Sequence, residues 1–283
     1  MPFKATVIED SLAAHGVRLT TVELRYPRFI HAELMTHRVF SRNASSSRAI
    51  PVNKLIEQVL HDPARPIHWG KNMPGMQAKE ELSGTLKSDA LSLWDQAAHS
   101  AAQYAADMEK LGIHKQVVNR IIEPFTYISV IVTATEWENF FALRLHGDAQ
   151  PEIQLLASNI HAALQASIPV LRTNDPSRCE AWHLPYISNQ ERSNYAPAEA
   201  AKFSAARCAR VSYLTHDGRT PEVDKDLELY RRLVCAQPMH ASPVEHQAYS
   251  LDSADLWNKN FRGWYQFRSL LEKEETDPAA SLQ

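Results

Sequence analysis

The chain has 283 residues, a formal net charge of −3 and a pI near 6.5. This balance excludes a protein that coats nucleic acid by bulk electrostatics, so a phosphate ligand has to meet a local group of arginines. The hydrophobic content of 44% and charged content of 22% are typical of a globular protein with ample chain for a core.

The cysteines at positions 179, 208 and 235 are odd in number and lack metal-ligand spacing. This usage indicates a reducing compartment and no disulfide framework. The N-terminus shows no signal-peptide pattern, and no apolar run is long enough to span a bilayer. We therefore expect a cytoplasmic protein without a membrane partner, the cytoplasm of a virus-infected bacterium included.

The first part of the chain predicts one strand and short helices around a polar segment. Alternating apolar residues over 17–26 predict a strand that ends at Pro27. Residues 29–35 predict one or two helical turns, and residues 51–59 a short helix. The Pro-, Gly- and Met-rich residues 63–84 predict a long ordered loop, for which a lid over a site and a mobile insertion remain alternatives.

The middle of the chain is mainly helical in pattern. Residues 89–111 give the clearest helix, which Gly112 ends, and residues 115–122 begin another. Helix and strand compete over 127–145, which is strongly apolar and rich in β-branched residues at its start. Residues 152–168 again have helical spacing.

The last part begins with polar, Pro-containing residues 174–200, which predict a connection between two halves of the chain. Helices are predicted over 205–214 and 224–235. A further helix, rich in Trp, Phe and Arg, is predicted over 253–271. The tail from residue 272 to residue 283 is charged and is expected to fray.

The segment from Thr36 to Arg48 is the most informative, because it contains almost nothing to bury. It combines one histidine, one asparagine, four serines and three arginines, namely His37, Asn43, Ser41, Ser45, Ser46, Ser47, Arg38, Arg42 and Arg48. Guanidinium and hydroxyl groups are the donors that phosphate oxygens need. From composition alone, a phosphate site and a solvated loop with Ser and Asn turns are equally good interpretations.

A second polar cluster runs from His240 to His246, with Glu245 between the two histidines. A metal site is a poor interpretation, because Pro243 forbids a regular helix and the spacing does not suit helical zinc ligands. A helix start fits better, with Ser242 as the N-cap and Glu245 at the third position. We therefore expect no metal.

These segments resemble the flavin-dependent thymidylate synthases. The family pattern Arg-His-Arg-x-x-Ser-x-Asn-Glu-x-Ser-x-Arg-Tyr is matched by His37, Arg38, Ser41, Asn43, Ser46 and Arg48. The pattern His-x-Ser/Thr-Pro-x-Glu-His recurs at every fixed position of residues 240–246, and Ala-Arg-x-Ser recurs at 209–212. Further matches are Arg120 before Pro124, the Asn-Phe-x-x-x-Arg of residues 139–144, and the Ala-Gln-x-Glu-Ile of residues 149–153.

The order of these blocks differs from that of the family, where the His-x-Ser-Pro-x-Glu-His block comes first. The chain thus resembles a divergent, phage-like and circularly permuted member. The resemblance implies an α/β (α+β) fold with an antiparallel or mixed sheet flanked by helices. It implies one domain over 1–283, with halves at 1–173 and 201–283 and a joining loop at 174–200.

By resemblance, the activity is FAD-dependent transfer of a one-carbon unit from methylenetetrahydrofolate to carbon 5 of a pyrimidine deoxynucleotide, in the manner of dUMP to dTMP. NADPH supplies the electrons, FAD carries the redox step, and a homotetramer with composite sites is implied. No cysteine nucleophile is needed, and nucleic acid is not expected as a partner.

The resemblance also assigns roles to residues. Those implied to bind the nucleotide are Glu33, Ser46, Arg48, Arg120 and Arg144. Those implied to lie on the cofactor side are His37, Arg38, Ser41, Asn43, Asn139, Ser212, His240, Ser242 and Glu245. Catalytic roles fall to Arg144, His240 and Arg48. Guanidiniums near the pyrimidine carbonyls would stabilise negative charge as carbon 5 becomes nucleophilic.

Departures from the family pattern leave alternatives open. Thr36 replaces an Arg, Glu33 replaces a Gln near the nucleotide, and Ala44 and Ala49 replace a Glu and a Tyr. Because a carboxylate accepts from an exocyclic amine, dCMP as substrate is one alternative, and a hydroxymethyl product is another. A non-catalytic protein that binds nucleotides or single-stranded nucleic acid is the alternative of another class.

Overall fold

The computed structural model describes residues 2–213 and 222–276. The strands in these residues are β1 Lys4–Ala13, β2 Arg18–Pro27, β3 Ser41–Ala44, β4 Tyr127–Ala134, β5 Val170–Arg172, β6 Trp182–His183, β7 Ala248–Ser250, β8 Trp257–Asn258, β9 Phe261–Arg262 and β10 Trp264–Gln266. The α-helices are α1 His31–Met35, α2 Val52–His61, α3 Gly84–Lys110, α4 Lys115–Ile122, α5 Glu138–Arg144, α6 Pro151–Ala166, α7 Asn189–Asn194, α8 Pro197–Tyr213, α9 Val223–Val234 and α10 Phe267–Thr276.

A five-stranded sheet in the order β3-β4-β2-β1-β5 organises the fold. Its pairs are antiparallel except β1 with β5, which is parallel. In the register of β2 with β4, Val22 lies opposite Val132 and Thr21 opposite Thr133. Since successive side chains of a strand point to opposite faces, the valines share one face and the threonines the other. The expected mixed sheet flanked by helices is confirmed.

Helices cover both faces of this sheet. On the valine face, Ile153, Leu156 and Ile160 of α6 are fully buried in one hydrophobic cluster with the strand residues. On the other face, Ile131 of β4 packs in a smaller cluster with Cys208 and Val211 of α8. Each fully buried aliphatic side chain of this kind contributes about 1.5–3 kcal/mol through removal of its surface from water.

A helical layer is formed by α2, α3 and α4. Ala98, Ala102 and Ala105 of α3 are buried against α2 and α4, and such small side chains allow close approach of the helices. The helix predicted over 115–122 is confirmed as α4, and that predicted over 51–59 is confirmed as α2, which ends later, at His61. The helix predicted to start at residue 89 begins earlier, at Gly84, and ends before Gly112 as predicted.

The region between residues 127 and 145 contains both of the competing structures. The β-branched start forms β4, and the later residues form α5, so the strand and the helix follow one another. The strand predicted over 17–26 is confirmed as β2, and α6 confirms the helix predicted over 152–168. None of the helices in residues 2–213 and 222–276 combines the length and the apolar character needed to span a bilayer.

The prediction of a polar connection over 174–200 is wrong in its local structure. This stretch contains β6, α7 and the start of α8, and Ala181, Trp182 and Leu184 are buried in a cluster with α8 and α9. Its buried residues are separated by prolines and polar residues, so no regular period announces them. α9 confirms the helix predicted over 224–235, whereas residue 214 of the helix predicted over 205–214 lies outside the described residues.

The helix predicted over 253–271 is also wrong, because residues 257–266 contain β8, β9 and β10 and α10 begins only at Phe267. Gly263 separates β9 from β10 with a φ of +70°. A Cβ atom at Gly263 would lie 2.4 Å from Cε1 of His15, whose Nε2 atom lies 3.1 Å from the Gly263 carbonyl oxygen. Glycine is required here by both backbone conformation and space, and it interrupts the apolar pattern that suggested a helix.

Candidate active site

Arg144 is the best-positioned of the predicted site residues. It lies at the end of α5, and its Nε atom donates to Nε2 of His37 at 3.0 Å. Its Nη1 atom donates to Oε2 of Glu33 at 3.3 Å, and its Nη2 atom donates to Oγ1 of Thr36 at 3.2 Å. Because three residues before β3 accept from one guanidinium, its plane is fixed before any ligand binds.

The protonation of this group follows from its surroundings. Burial lowers the pKa of His37, and the positive charges of Arg144 and Arg42 lower it further. His37 is thus a neutral acceptor for Arg144. Burial raises the pKa of Glu33, against the opposite effect of Arg144. Thr36, which stands where the family has an arginine, removes one positive charge and supplies an acceptor to Arg144 instead.

A cavity of about 680 Å³ lies beside Arg144 and Glu33. Part of its wall belongs to residues 66–82, here called the flap, of which Pro66, His68 and Gly70 line the cavity. The flap belongs to the loop predicted over 63–84. Its role as a lid stays a prediction.

Hydrogen bonds give the flap a defined shape. Its two arms are joined by Lys71 N to Glu80 O and by Leu82 N to Trp69 O, each 2.7 Å. The buried carboxylate of Glu152 accepts from the flap at Ile67 N, at 2.8 Å. Glu152, in the Ala-Gln-x-Glu-Ile block, thus anchors the flap over the cavity, a role that sequence reasoning missed.

A second group surrounds the loop Ser45–Arg48, which carries the predicted residues Ser46 and Arg48. Ser47 donates from Oγ to Oε1 of Glu123 at 2.5 Å, and Arg120 donates from Nη1 to the same oxygen at 3.0 Å. These contacts bring Arg120 to the Ser/Arg loop, as the assignment of both to one nucleotide requires. Arg48 is exposed.

Two unpredicted residues support this second group. Buried Asn119 donates from Nδ2 to the carbonyl oxygens of Ser47 and Ile50, at 2.6 and 3.0 Å, which holds the loop. Arg28 donates from Nη2 to the Ser45 carbonyl oxygen at 3.3 Å and lines a 260 Å³ cavity with Arg120 and Glu123. The available sequence signal was the Arg28–Phe29 pair directly after the strand end at Pro27. An arginine that is partly buried there needs acceptors such as the Ser45 carbonyl oxygen.

A third group joins β3 to the Ser242–Glu245 turn. Ser242 donates from Oγ to Oδ1 of Asn43 at 3.3 Å, and Asn43 donates from Nδ2 to the Cys208 carbonyl oxygen at 2.8 Å. The turn is a 3-10 helix that begins at Ser242. The prediction of Ser242 as a helix N-cap is wrong: Ala241 precedes the turn, and the Ser242 hydroxyl bonds across to β3 instead.

The remaining polar residues around this turn bind one another. Ser41 is buried, and Nδ2 of Asn260 and Nε2 of Gln266 donate to its hydroxyl at 3.0 and 3.3 Å. Nη1 of Arg268 donates to Oε1 of Glu245 at 2.5 Å. Asn260, Gln266 and Arg268 come from the region mistaken for a helix, which is why the sequence did not reveal these contacts.

Four predicted residues are separate from these contacts. Arg38, Asn139 and His240 are exposed, and their side chains form no hydrogen bond with residues of the described part of the chain. Ser212 lies in α8, and its side chain is outside the described residues. Arg210, in the same Ala-Arg-x-Ser block, forms an ion pair with buried Asp226 at 2.5 Å and so binds α8 to α9.

A buried chain of hydrogen bonds crosses the sheet and ends at the last histidine of the 240–246 block. It runs from Ser11 Oγ to His183 Nδ1 (2.9 Å), from His183 Nε2 to Thr21 Oγ1 (2.7 Å), on to Thr133 Oγ1 (2.7 Å), and then to His246 Nδ1 (2.8 Å). Burial lowers the pKa of His246 to about 3 and that of His183 well below 6.5. Both histidines are neutral and tie the block to β2 and β4.

Comparison with known proteins identifies the family of this chain. A family model described as "Thymidylate synthase complementing protein" (Thy1) matches residues 17–170, more than half of the chain. The match defines a methyltransferase-type enzyme that acts on nucleotides. The chain belongs to the Thy1 family, that of the flavin-dependent thymidylate synthases. Methylation of a pyrimidine nucleotide at carbon 5 is the type of reaction that this membership supports.

Two solved structures are similar to this chain. Both are of the UMP/dUMP methylase PolB from Streptomyces cacaoi, one bound with 5-Br dUMP and the other with 5-Br UMP. Their identities are 16% and 17% and their TM-scores 0.49 and 0.47, over 57% of this chain and 89% and 88% of theirs. The comparison with curated proteins gives no match.

Proposed function

We propose that this enzyme transfers a one-carbon unit from methylenetetrahydrofolate to carbon 5 of a pyrimidine deoxynucleotide, with FAD and NADPH. The observation that carries the proposal is the position of Arg144. It lies within the region matched by the family model, fixed by His37, Glu33 and Thr36 at the wall of a 680 Å³ cavity. That cavity is large enough for a nucleotide-sized ligand.

In the proposed reaction the methylene carbon bonds to carbon 5 of the pyrimidine, a proton leaves carbon 5, and the carbon–nitrogen bond to the folate breaks to give tetrahydrofolate. NADPH would supply the hydride that completes the methyl group, and a bound FAD would supply the two-electron chemistry. A hydroxymethyl product arises when water adds in place of the hydride, and that reaction consumes no NADPH.

The protein's part is to bind and to stabilise charge. The Arg144 guanidinium, held by acceptors on one edge, stabilises negative charge on the pyrimidine as carbon 5 becomes nucleophilic. Neutral His37 orients that guanidinium without adding a competing charge. Arg28, Arg48 and Arg120 at the second group provide the cations for a phosphate.

The proposed flavin site lies where β3 meets the Ser242–Glu245 turn. Arg38 precedes β3 and His240 precedes the turn in the sequence, and both side chains are exposed and therefore available to a diphosphate. Ser41 and Asn43 already bond within the protein, so their proposed role is to shape the site. Asn139, Ser212 and Glu245 remain proposed cofactor residues on the family resemblance.

The division of the predicted nucleotide residues between two cavities supports a composite site. Arg144 and Glu33 line the larger cavity, whereas Arg120 lines the smaller one with Arg28. We therefore propose a homotetramer, in which the Ser/Arg loop of one subunit faces the cavity of another. We also propose that the chain is circularly permuted, since β3 contacts the 240–246 block from far away in the sequence.

The decisive experiment measures cofactor binding and turnover together. Absorbance spectra are recorded on the purified protein after addition of FAD, and then of dUMP or dCMP. Tritium release from the 5-tritiated nucleotide is assayed with methylenetetrahydrofolate, with and without NADPH. Release that requires FAD and NADPH supports the proposal, and release without NADPH favours the hydroxymethyl product. A protein that binds nucleotide but neither flavin nor folate refutes the proposed reaction.

A further inference from the structure

The cavity under the flap has an unusual charge for a nucleotide site. Its lining includes three carboxylates, Glu33, Asp148 and Glu152, and two cationic side chains, Arg144 and Lys79. These three carboxylates and two cations sum to a net charge of −1. A phosphate with its two negative charges is repelled by such a lining.

The second group has the opposite balance. Its 260 Å³ cavity is lined by Arg28, Arg120 and one carboxylate, Glu123, for a net charge of +1. Exposed Arg48 adds a further cation in the neighbouring loop, which Ser47 connects to Glu123. The two sites therefore suit chemically different parts of the ligands.

Glu33 has one carboxylate oxygen to offer in the larger cavity. Its Oε2 atom accepts from Arg144, whereas its Oε1 atom forms no hydrogen bond with any residue of the described ranges. The Glu33 side chain is 29% exposed, so it is partly desolvated while still open to the cavity. An acceptor in that position is complementary to an N–H donor of a ligand.

We propose that the flap cavity binds a heteroaromatic ring with an exocyclic amine, that Glu33 accepts a hydrogen bond from this amine, and that the phosphate binds at the Arg28–Arg120 site. This inference rests on the proposed function and deepens it, because it names the class of ring. Glu33 is then a specificity-determining residue of the reaction.

The donor and acceptor groups of the bases determine which base Glu33 favours. Cytosine presents an amine where uracil presents a carbonyl oxygen, and a carboxylate oxygen repels that carbonyl. A glutamine at the same position can donate to the uracil carbonyl. The amino group on the pterin ring of a folate has the same donor chemistry as that of cytosine, so the ring belongs either to the nucleotide or to the folate.

The test compares binding of dCMP, dUMP and tetrahydrofolate by calorimetry to the FAD-loaded protein. The variants are Glu33→Gln, Glu33→Asp and the matched control Asp148→Asn, which removes the same charge from the same cavity. A charge-assisted hydrogen bond corresponds to about a tenfold to hundredfold change in affinity. We expect Glu33→Gln to shift the preference for the amine-bearing ligand by that factor. Glu33→Asp keeps the direction of the wild-type preference. Asp148→Asn leaves the ratio of the dCMP and dUMP affinities unchanged.

The outcomes separate the two sources and the two proposals. Loss of a dCMP preference in Glu33→Gln assigns the ring to a cytosine nucleotide. A selective loss of tetrahydrofolate affinity assigns it to the folate. If all ligands bind but no ratio changes by more than threefold, this inference is wrong and the proposed function stands. If the wild-type protein binds neither FAD nor a nucleotide, both are wrong.

Discussion

Replacement of Thr133 by valine tests the buried hydrogen-bond chain across the sheet. Valine has nearly the same shape, so the change removes the hydroxyl that bonds to Thr21 at 2.7 Å and to His246 at 2.8 Å. Each buried partner left unsatisfied costs about 1–3 kcal/mol. Because Thr21 keeps its hydrogen bond to His183, the loss of stability at Thr21 is at the low end of this range. The expected loss of stability at Thr21 and His246 together is about 2–4 kcal/mol.

Urea unfolding followed by tryptophan fluorescence measures this loss as a lower transition midpoint at constant slope. Thr133→Ser is the matched control, because it keeps the hydroxyl and loses one methyl group, at a cost of about 1 kcal/mol. We also expect the nitrogen-15 resonances of His246 to change in the valine variant alone. A valine variant at least as stable as the serine variant would refute the reasoning.

The remaining predictions concern pH, the flap and the phosphate site. Folding lowers the pKa of His246 from 6.5 to about 3, so between these pH values the unfolded state binds protons more strongly than the folded state. The stability that His246 contributes is therefore complete above pH 6.5 and is smaller by about 2 kcal/mol at pH 5. A urea midpoint that is unchanged from pH 7 to pH 5 would contradict this. A Cβ atom at Gly70 would lie 2.2 Å from the Cβ atom of Ala78, so we expect Gly70→Ala to displace the flap. The free energy of unfolding falls by about 1–3 kcal/mol, and the KM for nucleotide rises. Gly147→Ala, with open space around its Cβ, is the control in the same cavity, and equal KM values for the two variants would exclude the flap from binding. Arg120→Ala removes the exposed ion pair with Glu123, which contributes under about 1 kcal/mol of stability. We expect nucleotide binding, measured by titration, to weaken about tenfold or more. An unchanged affinity would exclude Arg120 from the phosphate site.

Local pattern predicted the elements whose apolar residues are regularly spaced. The helix over 115–122 was found because its apolar stripe faces one core, and the strand over 17–26 because its apolar residues alternate. The helix predicted over 253–271 failed because three short strands and a turn at Gly263 place aromatic residues at intervals that imitate a helix. Residues 174–200 failed because their buried side chains are irregularly spaced.

The site was predictable in part. The motifs identified Arg144, Glu33 and the Ser/Arg loop, and the structure places the first two together and brings Arg120 to the loop. The supporting residues Asn119 and Glu152 were missed, because each binds backbone atoms that are distant in the sequence. The sequence around an asparagine or glutamate in a helix does not indicate such a partner. Such contacts depend on tertiary structure and have no local sequence signal.

The small core around Val17 and Leu19 has a consequence for the growing chain on the ribosome. Besides Ala13 of the same hairpin, it contains Ala248, Phe261 and Trp264, which lie almost at the opposite end of the sequence. At about 5–20 residues per second, translation of the intervening chain takes roughly 12–50 s. Throughout that time one flank of the β1–β2 hairpin remains without its apolar cover. A nascent-chain binding factor that shields exposed strands should therefore raise the yield of this enzyme more than that of a protein whose cores close between neighbouring segments.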